Sequence, residues 1–66
     1  MSIRVMVEDF SCRMLRRFAQ KEKDGWSGYE IITEREYQYR IIKNVINGDY
    51  VDAANLCVLA DHGLGK

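Results

Sequence analysis

Proline is missing from this chain, so no residue in it breaks a helix from within. Cysteine is scarce. Cys12 and Cys57 lie far apart, with no CxxC spacing and no cluster of histidines to join them. That pattern argues against a disulfide framework or a zinc site, and for two reduced thiols in a cytoplasmic protein. Net charge is missing as well: ten basic and ten acidic residues cancel to a formal +0, with a pI near 6.5. The global field therefore attracts neither nucleic acid nor a membrane surface. No apolar run reaches transmembrane length, and no secretory-signal pattern opens the chain. Repeats and low-complexity tracts are absent too. The expectation is a soluble, cytoplasmic, helical protein that makes no use of membranes.

What is present is apolar content. At 66 residues, 47% of them hydrophobic, the chain reads as one small domain spanning 1–66, close to the size at which a lone core is marginal. Phe18, Trp26, Tyr37 and Tyr39 exceed what three short helices can cover. Part of the apolar surface is therefore expected in a subunit or partner interface, with helices two and three packing against their symmetry mates in a homo-oligomer.

The organising stretch is Gly48-Asp49-Tyr50-Val51-Asp52-Ala53-Ala54-Asn55-Leu56-Cys57-Val58-Leu59-Ala60-Asp61. Gly48 suits the left-handed residue that closes one helix, and Asp49 suits the cap of the next. Asp52 would complete a box-like cap. The run after Asp52 is almost wholly apolar, so this third helix, about 50–62, should be buried on more than one side. Asp52 and Asn55 nevertheless stand inside it, one turn apart on one face. Such groups need a partner, a metal or a ligand. Asn55 is therefore a candidate for an interhelical bond or a ligand contact. His62 lies near the same stripe, where the helix C-terminus suits it without any further role.

Before that stretch, Ile3, Val7, Phe10, Met14 and Phe18 recur at helical spacing and predict a first helix over 1–23. Its C-terminal half carries Arg13, Arg16, Arg17, Lys21 and Lys23, a favourable end for cations. The connection Asp24-Gly25-Trp26-Ser27-Gly28-Tyr29 is a turn. Its Trp26 either folds back as a lid on the core or offers a stacking surface for a base. Ser27 and Thr33 each begin a capping-box pattern; a short turn at 28–32 and a main helix from about 33 to 47 are expected. The second helix should bury Tyr39, Ile42 and Ile46, with Gln38, Ile41 and Val45 beside them. Asn47-Gly48-Asp49 then reverses the chain, making helices two and three an antiparallel hairpin. The fold class is all-α.

The ordered set of Lys23-Asp24-Gly25-Trp26, a helix ending Val45-Ile46-Asn47-Gly48, Asp49-Tyr50-Val51-Asp52-Ala53-Ala54-Asn55-Leu56 and Leu59-Ala60-Asp61 resembles the small, phage-type MazG-like nucleoside triphosphate pyrophosphohydrolases. The likeness spans about residues 10–62. It implies an all-α, usually oligomeric module, a phage or mobile-element source, and cleavage of nucleoside triphosphates to monophosphate and pyrophosphate with Mg²⁺. That chemistry takes carboxylates from two facing helices, an EExxE motif on one and an (E/D)xxD pair on the next. Asp49 and Asp52 match the second pair and are the candidate metal ligands. Tyr37, Gln38 and Ile41 stand where the first set belongs, which makes Gln38 a candidate ligand or interhelical contact. Glu34 and Glu36 lie nearby, but a three-residue displacement is about 4.5 Å along the axis.

Three functions follow. The first is a MazG-like module with a degraded metal site that binds a protein partner or a nucleotide without catalysis and takes no cofactor. The second is an active Mg²⁺-dependent pyrophosphohydrolase. The third is a small helical DNA-binding protein, disfavoured because its recognition helix would carry Asp52 and Asp61 and no cation, the wrong sign for phosphates.

Overall fold

A computed structural model describes residues 2–63. Helix α1 spans Ile3–Lys23, a single 3₁₀ turn spans Tyr29–Ile31, α2 spans Glu34–Ile46 and α3 spans Tyr50–Asp61. No strand occurs among the described residues. None of the helices is long and apolar enough to cross a membrane. The start expected for the first helix, at residue 1, lies outside the described residues.

Local chemistry explains the boundaries. Ser2 caps α1, its hydroxyl accepting from the Val5 amide at 3.2 Å. Thr33 caps α2 in the same way, accepting from the Glu36 amide at 3.2 Å. The C-terminus of α2 is closed by a Schellman turn. Gly48, at φ 77°, donates to the Val45 carbonyl, and Asp49 donates to the Asn44 carbonyl at 2.8 Å. The end of α1 repeats the design with Gly25 at φ 87°: Gly25 donates to Glu22 and Trp26 to Lys21. That turn sends Trp26 back over α1, with the Lys21 ammonium 5.2 Å from its ring centroid.

The N-terminus of α3 departs from expectation. Asp49 holds the N-cap position but makes no side-chain capping bond, and its ψ of 66° lies outside the extended range that caps adopt. A capping box also needs the Asp49 amide, which the Asn44 carbonyl already takes. Asp52 is consequently free to turn toward α1.

Helix α3 sits at the centre: α1 and α2 both pack on it and scarcely on each other. This is why its apolar residues run around the helix, as a helix covered on more than one side requires. Helices α2 and α3 form the expected antiparallel hairpin across the short Asn47–Asp49 link. The core is Tyr37, Leu56 and Leu59, with Phe18, Trp26, Tyr29, Ile32, Ile41 and Ala60 packed around it. The tyrosine is fully buried, and its hydroxyl donates to the Tyr29 carbonyl. Three aromatics close the top: Trp26 stacks on Tyr29 at 5.3 Å, and Phe18 meets Trp26 edge-on at 5.7 Å.

The inward face of α2 differs from the expected one. Tyr37, with Ile41 and Asn44, faces the hairpin, while Tyr39, Ile42, Val45 and Ile46 are 46–78% exposed. The helix carries two apolar stripes on opposite sides, and periodicity does not rank them. Tyr37 decides the matter, because its ring fills the space over Leu56 and Leu59 while its hydroxyl reaches a carbonyl.

Candidate functional site

Asp52 is one turn into α3 and points at α1. Its Oδ1 accepts from Arg17 Nε at 3.0 Å and lies 3.8 Å from Lys21 Nζ. The carboxylate is 13% exposed, whereas Arg17 is nearly half exposed. The hydrogen bond to Asp52, reinforced by its charge, raises the Arg17 pKa above its already high value. The cations that suit the C-terminal half of α1 thus also do a specific job, since two of them, Arg17 and Lys21, engage Asp52 of α3. Of the rest, Arg13 pairs with Asp9 one turn back at 3.1 Å.

Asp49 is exposed. It shares with Asp52 an open groove of about 520 Å³, whose other charged walls are Arg13, Arg16 and Arg17. The two carboxylates are therefore brought together, but among guanidinium groups. A divalent cation entering there would compete with Arg17 and Lys21 for Asp52 and meet three arginines on the way. Magnesium that bridges phosphates needs several hard oxygen donors. Among the described residues no three His, Cys, Asp or Glu side chains converge on a point that could hold a metal. The donor set does not fit such an ion.

Asn55 makes the interhelical bond that its position suggested. Its Nδ2 donates to the Met14 carbonyl of α1 at 3.1 Å. Trp26 folds onto the core as a lid, its face taken up by Tyr29 and Lys21. Gln38 is exposed on α2. The reason is that Tyr37 turns inward, and the next residue lies about 100° around the helix from it. Ile41, the other position matched to the missing motif, packs against the core. His62 is exposed and closes α3.

No protein-family model, curated protein or solved structure matches this chain.

Sequence reasoning missed the partner of Asp52. The signal was present as Arg17 and Lys21 at i, i+4 on one face of α1, but their meeting with Asp52 depends on how α1 crosses α3.

Proposed function

We propose that this chain is a MazG-like helical module that works by binding a protein partner or a nucleotide, its remaining carboxylates serving structure instead of metal chemistry. The observation that carries this reading is the engagement of Asp52 by Arg17 and Lys21. A pyrophosphohydrolase uses such a carboxylate to hold metal against the charge that develops on a transferring phosphoryl group. Here the same carboxylate ties α1 to α3. The positions matched to the other half of the metal site add to this, since Tyr37 is core, Ile41 lies against the core and Gln38 bears no charge. A phage source fits the resemblance and follows from it alone.

The test is pyrophosphate release from the common ribo- and deoxyribonucleoside triphosphates with Mg²⁺ or Mn²⁺, beside an Asp52→Asn control. The expected result is no release above the protein-free blank. Metal-dependent turnover that Asp52→Asn abolishes would replace this reading with an active pyrophosphohydrolase.

A further inference from the structure

We infer that the flank of α1 turned away from the arginine groove docks an amphipathic helix of a partner protein, one that carries apolar anchors and a cationic side chain. The inference rests on the partner-binding half of the proposed function and names that partner's chemistry. A trough of about 590 Å³ opens on this flank, walled by Met14, Leu15 and Phe18 of α1 and by Val58 and Leu59 of α3. Leu15 is 73% exposed and Val58 45%. Val58 belongs to the part of α3 that α1 and α2 leave uncovered. A mostly apolar recess of this volume, with few polar groups, is the usual form of a binding site.

Shape selects a helix. The trough runs along α1 from Ser11 to Glu22, a rise of about 16 Å or about three helical turns. That length takes the i, i+4 and i+7 side chains of a helix laid into it. An added strand would need an open sheet edge instead, and no strand occurs among the described residues.

Charge selects a basic helix. Among the described residues Glu22 is the one charged side chain that lines the trough, and it makes no ion pair with any of them. The arginines are kept away by the geometry of α1. Arg13 and Arg17 each lie two residues from Leu15, about 160° around the helix from it, and they line the other groove with Arg16, Asp49 and Asp52. Asn55 already donates to the Met14 carbonyl, which leaves its Oδ1 to accept; the Ser11 hydroxyl serves either role. A cationic donor therefore suits this surface, and a carboxylate would meet like charge. The apolar walls supply affinity, and Glu22 supplies the choice of sign.

The experiment titrates the full chain with two designed amphipathic peptides of about four helical turns. One is built of leucine and lysine, the other of leucine and glutamate with the same leucine pattern and matched helical content. Trp26, the single tryptophan, meets Phe18 of the trough edge-on at 5.7 Å, so its fluorescence reports occupancy beside the heat of binding. The lysine peptide should bind about fivefold more tightly than the glutamate peptide, and Glu22→Lys should reverse that order. Leu15→Ser should weaken the lysine peptide about tenfold with unchanged circular dichroism, because Leu15 already faces solvent. Ile42→Ser, at an exposed apolar residue of α2, should leave binding as it was. No binding of the lysine peptide, equal affinity for the two peptides, or an equal loss on Ile42→Ser would overturn the inference. So would sedimentation in which Leu15→Ser dissociates an oligomer, since the trough would then belong to a second copy. Pyrophosphate release reads Asp52 on the other flank of α1, so the lost catalysis and this docking surface fail separately.

Discussion

Tyr37 and Asn55 show what single polar atoms do in so small a core. Tyr37 spends its ring on packing and its hydroxyl on the Tyr29 carbonyl. Removing only the hydroxyl, as Tyr37→Phe does, should cost about 1 kcal/mol, whereas Tyr37→Ala should cost about 3–5 kcal/mol and leave little folded protein. Burial raises the Tyr37 pKa above its ordinary value, with Glu30 adding to the rise and Arg40 opposing it. The unfolded chain therefore loses this proton first, near pH 10. Stability from the buried neutral phenol is complete below that pH and declines as pH rises through the folded value. Alkaline denaturation followed by circular dichroism should begin near pH 10 and be shallower in Tyr37→Phe. Asn55 offers a second contrast. Asn55→Leu gives up one hydrogen bond, a modest loss of about 1 kcal/mol, while Asn55→Asp sets a carboxylate against the Met14 carbonyl and should cost more. Urea titration that ranked Asn55→Asp the more stable of the two would contradict the interhelical bond.

At the level of elements, the helices are set mainly by their ends. Ser2 and Thr33 cap α1 and α2, and glycine-closed Schellman turns stop them. Gly48 is in the left-handed region with no atom within 4 Å of an added Cβ. Gly48→Ala should therefore cost about 1–2 kcal/mol from backbone strain alone, without steric clash, and thermal unfolding will read it directly. The link between α1 and α3 is electrostatic at Asp52 and neutral at Asn55. Because Arg17 is nearly half exposed, solvent screens its pair, and Asp52→Asn should lower stability by no more than about 1 kcal/mol. That loss should shrink further as salt is raised from 0.05 to about 0.5 M. These elements were legible because caps, turns and end charges are local: the bounds expected for α2 and α3 hold to within a residue or so.

For the whole molecule, the question is what covers the surface that three helices leave open. Self-association of the kind the family resemblance implies would make stability a mass-action quantity. Under it, the melting temperature should rise with protein concentration over a hundredfold range. A flat curve across that range would count against self-association.

The sequence by itself determined the all-α class, the helix boundaries, the tight α2–α3 hairpin and the central place of α3. These follow from local rules: missing proline, glycine at left-handed turns, side-chain caps, and one helix whose apolar residues run all round it. It also singled out Asp52 and Asn55 as polar groups in need of partners. Only the tertiary structure decided what the partners are and which side of α2 faces in. Two apolar stripes on one helix have the same period, so sequence spacing cannot choose between Tyr37 and the Tyr39–Ile42–Ile46 set. The choice falls to shape and to the Tyr29 carbonyl that Tyr37 reaches. In the same way, Arg17 and Lys21 lie more than thirty residues from Asp52 in the chain, and their meeting is set by the crossing of α1 over α3, which no local pattern encodes.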